Sequence, residues 1–242
     1  MADALRLDAV RFAWPGAGGF SLGVESLCVA RGERVFLQGP SGSGKSTLLS
    51  LICGIVSPDA GEIAVMGEPF STLSARRRDR LRAERMGVIF QMFNLLPYAS
   101  PIENVVLPLA FAPLRARRVG RDRAGEARRL LTALGLPEAV IDARRAASLS
   151  VGQQQRVAVA RALIGTPDIV VADEPTSALD GDARDAFLAL LFDQVAAAGA
   201  SLIMVSHDAS LAQRFDRRLT LAEIASVAGS GTGTAAQIRG AA

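Results

Sequence analysis

Residues 39–47 constrain the fold of this chain more than any other segment. They read Gly-Pro-Ser-Gly-Ser-Gly-Lys-Ser-Thr and fit the phosphate-binding pattern G-x-x-x-x-G-K-[ST], between an apolar run that predicts a strand (35–37) and a stretch that predicts a helix (48–52). Glycine permits close approaches that a Cβ would prevent, so successive N–H groups can converge on phosphate oxygens at a helix N-terminus. A glycine-rich turn that serves packing alone would not need the Lys-Ser pair at this offset.

The loop predicts a role for each of its polar side chains. Lys45 would reach the β- and γ-phosphates of a nucleotide, and the Ser46 hydroxyl would complete the shell of a Mg²⁺ ion. Of the 27 lysines and arginines in the chain, only Lys45 is a lysine, which indicates that a compact ammonium is needed there. The residues expected to hold phosphate are Gly39, Pro40, Ser41, Gly42, Ser43, Gly44, Lys45, Ser46 and Thr47.

Length and composition limit the class of protein. The 242 residues suffice for one α/β domain with a lobe, or at most two small domains. No run approaches the roughly 18 to 20 apolar residues that cross a bilayer, and the N-terminus lacks the layout of a signal peptide. We therefore expect a protein that is neither secreted nor integral to a membrane. A net charge of +3 does not indicate a nucleic-acid partner.

The order of strand-like and helical patterns predicts the architecture. Strand-like stretches at 5–12 and 20–29 precede the phosphate-loop strand, which predicts an N-terminal antiparallel β subdomain before a parallel core. The fold class is therefore α/β, a P-loop core with this β subdomain and an inserted helical subdomain at about residues 92–163. The whole domain covers 1–224. The Ala-, Gly-, Ser- and Thr-rich tail 225–242 is expected to be disordered.

Polar residues follow several of the predicted strands. Gln91 comes after the strand-like 88–90, Asp173 and Glu174 end an uninterrupted β-branched run, and His207, the only histidine, follows the last apolar strand. In an open α/β sheet, ligands bind at the carboxyl ends of the strands. Each residue also has a structural alternative: the carboxylates as a strand-end cap, the histidine as a hydrogen-bonded residue without a functional role.

Trp14 and the arginine-rich stretches are less specific signals. Trp14, the only tryptophan, lies at a predicted loop edge, where it could stack on an adenine or be a partly buried turn aromatic. The arginine-rich segments 72–85 and 115–145 are typical of solvated faces, although they could meet a partner or anionic lipid headgroups.

Together, these motifs resemble those of the nucleotide-binding subunits of ATP-binding cassette (ABC) transporters, over about residues 5–221. The resemblance implies that Trp14 stacks on adenine and that Gln91 helps to hold Mg²⁺ and links the site to the helical lobe. It implies that Asp173 steadies Mg²⁺ through water, that Glu174 polarises the attacking water, and that His207 touches the γ-phosphate.

The same resemblance identifies a signature segment, Leu-Ser-Val-Gly-Gln at 149–153. In the family it completes the ATP site of a second copy, which implies a head-to-tail homodimer held by ATP and separated by hydrolysis. The residues implied to act on the partner's ATP are Ser150, Gly152, Gln153 and Asp180. The family usually has glycine where this chain has Val151, so a requirement for positive φ at that position would put the signature in doubt.

Three short stretches resemble those of one subfamily in particular. The stretches 90–97, 102–105 and 153–158 look most like the bacterial lipoprotein-release and macrolide-export ATPases. This implies an ATPase subunit on the cytoplasmic face of the inner membrane that powers a separate integral membrane permease. The alternative is a soluble or cell-division-type ABC ATPase that acts as a regulatory or mechanical switch.

Overall fold

The computed structural model describes residues 3–15, 19–40, 42–177, 179 and 181–228. Contacts divide the chain into two compact units, one of Met1–Asp79 with Ile203–Ala242 and one of Arg80–Leu202. The strands are β1 (Asp3–Ala13), β2 (Ser21–Ala30), β3 (Arg34–Gln38), β4 (Ala60–Val65), β5 (Glu68–Pro69), β6 (Met86–Ile89), β7 (Ile169–Asp173), β8 (Ser201–Ser206), β9 (Arg217–Thr220) and β10 (Ala225–Ala228). The α-helices are α1 (Lys45–Ile52), α2 (Ala75–Arg85), α3 (Pro101–Val106), α4 (Pro113–Val119), α5 (Arg123–Ala133), α6 (Glu138–Ile141), α7 (Val151–Leu163), α8 (Gly181–Ala197) and α9 (Leu221–Ile224).

The first unit contains the expected antiparallel sheet, in the strand order β10-β2-β1-β4-β5. Along β1 the buried side chains alternate with more exposed ones, and Leu5, Leu7, Val10 and Phe12 form the buried row. This period of two buries one face of the sheet. The row shifts by one residue around Ala9, where φ is 47° and the pairing with β4 is irregular.

In the same unit, the glycine-rich loop follows β3, which belongs to a parallel pair of strands. β3 pairs in parallel with β9, and its central residues Val35, Phe36 and Leu37 are fully or almost fully buried. Asp216, directly before β9, accepts hydrogen bonds from the Arg34 main-chain N–H at 2.8 Å and from its guanidinium at 2.7 Å. The bond from the guanidinium lowers the pKa of the Asp216 carboxyl.

The predicted disorder of the tail is wrong for its first four residues. They form β10, which pairs antiparallel with β2 and places Ala225 opposite Val24. Main-chain groups at the edge of a sheet can pair with any extended segment, so small and polar side chains did not prevent the strand. Residues 229–242 of the predicted tail lie outside the described part of the chain.

The second unit combines a short parallel β pair with the helices of the predicted lobe. β6 pairs in parallel with β7, with Ile89 opposite Ala172. Helices α3 to α7 all fall within the segment 92–163. α3 begins as its sequence predicts, because Ser100 caps it with a capping box to Glu103 and Pro101 is its first residue. Among the described residues, no helix is long and apolar enough to cross a membrane.

Arg115 ties several segments of the second unit together. Its side chain is 2% exposed and donates to four main-chain carbonyls. Burial lowers the pKa of this guanidinium to about 10, so it stays charged at neutral pH. The accepting carbonyls belong to Ala83, Met86, Ala162 and Ile164. The end of α2, the start of β6 and the end of α7 are thereby linked through one side chain.

We expect Arg115→Met to lower the free energy of unfolding by about 3 to 5 kcal/mol, because it leaves buried carbonyls without donors. Urea denaturation measures this loss. Arg117→Met, an exposed arginine on the same helix, is the matched control and should change the free energy by less than about 0.5 kcal/mol. Equal losses in the two variants would contradict the structural role of Arg115.

Candidate functional site

The glycine-rich loop joins β3 to α1 in a conformation that requires glycine. Gly42 and Gly44 have φ of 78° and 98°, in the left-handed region. A Cβ on Gly44 would lie 3.1 Å from the Phe20 ring, and one on Gly39 would lie 2.7 Å from Ser43 Oγ. A side chain at 39 or 44 would therefore force its neighbours to move, and the N–H groups of the loop lead directly into the first turn of α1.

The polar groups of the loop fit a phosphate. Lys45 is 7% exposed, and its Nζ donates to the carbonyls of Gly39 at 2.7 Å and Pro40 at 2.8 Å, so the ammonium is fixed against the loop. Ser43 Oγ is buried without a hydrogen-bond partner among the described residues. A fixed cation, an unsatisfied hydroxyl and the N-terminus of α1 together favour an anion with several oxygens.

Trp14 lies beside the first turn of α1. Its indole Nε1 donates to Thr47 Oγ1 at 3.1 Å, and its ring meets Phe12 edge to face, with centroids 5.0 Å apart. The residue is half-buried, as expected of a turn aromatic. The hydrogen bond also holds it beside the phosphate loop.

His207 follows β8 in a short turn of the first unit. The N–H of Asp208 donates to Ser206 Oγ at 3.1 Å, and the Asp208 carboxylate caps the 3₁₀ helix Ala209–Arg214 by accepting from the N–H of Ser210 at 3.0 Å. These bonds fix the backbone on both sides of His207, which is exposed.

In the second unit, Gln91 and the two acidic residues lie at one edge of the β pair. Ile89 is opposite Ala172, so Gln91, two residues on, and Asp173 both lie at the carboxyl ends of their strands. Glu174 follows with φ of 44°, a left-handed conformation that is costly for a residue with a Cβ. Its carbonyl accepts from the N–H of Ser177 at 3.2 Å.

The signature segment forms the N-terminus of α7. Ser150 caps the helix: its Oγ accepts from the N–H of Gln153 at 3.3 Å, and the Gln153 side chain accepts from the N–H of Ser150 at 2.9 Å. Val151 is the first residue of the helix and does not have positive φ. The backbone therefore does not require glycine at 151, and the replacement leaves the capped geometry of the segment intact.

A buried glutamine of the same helix was not predicted from the sequence. Gln155 is 0% exposed, and its side-chain amide donates to the carbonyl of Pro175, next to Glu174. The only signal was helical spacing, because Gln155 shares a face with the buried Ala158 and Ala162, three and seven residues on. Two predicted site residues, Ser41 and Asp180, lie outside the described part of the chain.

The site belongs to the class of P-loop nucleotide-binding proteins, because a strand leads through a glycine-rich loop with a buried lysine into a helix.

A family profile described as ABC transporter matches residues 23–177. The chain is 45% identical over 199 residues to the uncharacterized ABC transporter ATP-binding protein YbbA of Escherichia coli, covering 82% of this chain and 84% of that protein. It is 44% identical over 198 residues to the lipoprotein-releasing system ATP-binding protein LolD of Maricaulis maris, with the same coverage.

Solved structures agree with these relatives. The dimeric ATP-binding cassette MJ0796, in a post-hydrolysis state with ADP and Pi, matches with a TM-score of 0.76 and 32% identity, over 89% of this chain and 93% of that chain. The chain belongs to the ABC transporter ATPase family. The predicted α/β fold class, ATP binding and ATPase activity are thereby confirmed. The comparisons support a transporter cassette and not the alternative of a regulatory or cell-division switch.

The left-handed backbone at Glu174 leads to a stability prediction. Glu174→Gly should be more stable than Glu174→Ala by about 1 kcal/mol, because glycine adopts φ of 44° without the Cβ penalty. Both variants lack the carboxylate, so the loss of its contacts does not contribute to the difference. Urea denaturation of the two proteins measures it, and equal stability would mean that position 174 is not held in the left-handed region.

Proposed function

We propose that this chain is the ATP-driven subunit of an export-type ABC transporter, and that its ATP site uses the residues predicted from the sequence. The observation that carries this proposal is the glycine loop, with the buried Lys45 ammonium and the unsatisfied Ser43 hydroxyl at the start of α1. Residues 39–47 bind the phosphates, and Trp14, held by Thr47, stacks on the adenine.

The oxygen donors proposed for Mg²⁺ suit that ion. Ser46, Gln91 and Asp173 offer a hydroxyl, an amide oxygen and a carboxylate, the hard ligands that Mg²⁺ prefers, with Asp173 acting through water. When bound, the ion neutralises charge on the phosphates. Among the described residues, no group of three or more histidines, cysteines or acids could hold a metal ion.

Hydrolysis is assigned to residues at two strand ends. The Glu174 carboxylate orients the attacking water and accepts its proton, and the His207 side chain donates to the γ-phosphate as negative charge develops there. The hydrogen-bonded backbone next to each of them limits how far the side chain can be displaced. Phosphoryl transfer depends on such positioning more than on covalent chemistry.

A second copy of the chain completes each site. Ser150, Gly152, Gln153 and Asp180 act on the ATP held by the partner, so two copies pack head to tail with two ATP molecules between them. The N-terminus of α7, capped by Ser150, presents partial positive charge to the γ-phosphate. The MJ0796 cassette is itself dimeric in its state with ADP and Pi, which supports the arrangement.

The proposed membrane partner and location are based on what the names of two relatives say of those proteins. The name of LolD assigns that protein to a lipoprotein-releasing system, and CbiO1 of Clostridium perfringens is part of an ABC transporter complex. By analogy, this chain acts on the cytoplasmic face of the inner membrane and powers a separate integral membrane permease of the lipoprotein-release or macrolide-export type, without a nucleic-acid partner. Specificity for the cargo belongs to the permease.

Glu174→Gln should retain ATP binding and lose hydrolysis, because the amide cannot accept the proton of water. The variant should therefore double in mass with Mg-ATP, as light scattering measures, while phosphate release falls at least about 100-fold. Lys45→Ala, which removes the ammonium from the phosphate loop, is the control and should stay monomeric. A Glu174→Gln protein that stays monomeric or hydrolyses at the wild-type rate contradicts the mechanism.

Trp14 provides a separate test of nucleotide binding. Trp14→Ala should weaken ATP binding by about 1 to 3 kcal/mol, equivalent to roughly 5- to 150-fold in Kd, because the stacking surface is lost. Calorimetry measures this change. Trp14→Phe keeps a ring without the hydrogen bond to Thr47 and should recover most of the affinity. An unchanged Kd in Trp14→Ala would leave Trp14 as a turn aromatic only.

A further inference from the structure

The segment that follows Gln91 has an uncommon backbone. Phe93 and Asn94 are consecutive non-glycine residues in the left-handed region, with φ of 57° and 48°. Such residues persist only where the surroundings fix them. The N–H of Phe93 donates to the carbonyl of Phe90 at 2.9 Å, and the N–H of Asn94 to that of Met92 at 2.6 Å. These local bonds close a tight turn directly behind Gln91.

A buried arginine of α7 is hydrogen-bonded to this turn. Arg161 is 9% exposed, and its guanidinium donates to the carbonyls of both left-handed residues, to Asn94 at 2.6 Å and to Phe93. Burial lowers the pKa of Arg161. The planar guanidinium presents donors in a fixed fork, so it can hold two adjacent carbonyls at once, which a lysine ammonium does less well.

The rest of the segment is bonded to the chain just before the signature and to α3. Ala146 and Ala147 donate from their N–H groups to the carbonyls of Ala99 at 2.8 Å and Pro97 at 3.0 Å. The fully buried Asn104 side chain accepts from the N–H of Leu96 at 2.7 Å. Residues 93–99 are therefore fixed at several points, and Arg161 holds the point nearest to Gln91.

We propose that Arg161 is a positioning residue that sets the orientation of Gln91 and ties it to the signature helix. It does so by donating to the carbonyls of Phe93 and Asn94, the two left-handed residues of the turn that follows Gln91. Ser150 caps the helix that contains Arg161. The turn after Gln91, which belongs to one site, and the signature segment, which serves the other site, are therefore both connected to α7. This inference rests on the proposed role of Gln91 at Mg²⁺.

Hydrogen exchange followed by mass spectrometry tests the contact without activity. In Arg161→Met, which keeps an apolar stem but no donor, the peptide over 91–99 should exchange roughly tenfold faster because the turn loses its anchor. The matched control is Arg156→Met, on the same helix, which loses a bond to the Gly135 carbonyl instead. It should leave exchange of 91–99 unchanged. Equal exchange in Arg161→Met and wild type overturns the proposal.

A double-mutant cycle tests the functional part. Arg161→Met should raise the Mg²⁺ concentration for half-maximal ATPase activity roughly tenfold, as loss of an outer orienting partner does. In a Gln91→Ala background it should add no further change, because its effect passes through Gln91. Arg156→Met should show the same small effect in both backgrounds, as expected of a residue that only stabilises the fold.

The outcomes separate the two hypotheses. If Gln91→Ala alone leaves the Mg²⁺ dependence unchanged, the proposed role of Gln91 is wrong and the inference falls with it. If Gln91→Ala changes the Mg²⁺ dependence but Arg161→Met does not, the inference alone is wrong. The same holds if Arg161→Met causes its full shift in the Gln91→Ala background. Should Arg161→Met fail to fold, Arg161→Lys replaces it in every measurement, and its shift should be smaller but in the same direction. No shift in Arg161→Lys would then count against the proposal.

Discussion

Main-chain carbonyls in loops and at the ends of helices and strands need donors, and in this protein buried cations supply several of them. Lys45 donates hydrogen bonds to two carbonyls of the phosphate loop. Arg115 donates to carbonyls near the ends of α2 and α7, and Arg161 donates to two carbonyls of the turn that follows Gln91. Each cation loses hydration on burial, which is why the pKa values of Arg115 and Arg161 fall. Charge-assisted hydrogen bonds offset that loss and fix loops and the ends of helices and strands.

In the second unit, two arginines donate to the carbonyls of left-handed residues. A residue with positive φ turns its carbonyl away from the partners that a regular element would provide. Arg161 donates to the carbonyls of Phe93 and Asn94, and Arg118 donates to the carbonyl of Thr166, whose φ is 51°. The segment 115–145, which looks like a solvated face in the sequence, thus contains Arg115 and Arg118, both of which donate to main-chain carbonyls.

The sequence predicted those parts of the site whose residues lie close together in the chain. The phosphate loop needs glycine and lysine at fixed offsets, and the capped start of α3 needs Ser100 and Pro101 in series, so both could be read directly. Partners that are distant in the chain were not readable in the same way. Arg161 and its acceptor Asn94 are 67 residues apart, and only a charge inside an apolar helix hinted at it. The strand Ala225–Ala228 escaped prediction because edge pairing uses the main chain and leaves little trace in side chains.

The contacts of α7 give a physical reason for keeping the signature on a helix instead of on a loop. Ser150 caps its first turn, Gln155 holds the carbonyl beside Glu174, and Arg161 holds the turn behind Gln91. A helix rises by about 1.5 Å per residue and resists bending, so these three positions cannot move independently. A displacement of the Ser150 end therefore changes the hydrogen bonds at the other two, whereas a flexible segment would absorb it. In the proposed dimer, α7 therefore links the segment assigned to the partner's ATP with the residues proposed to hold Mg²⁺ and water.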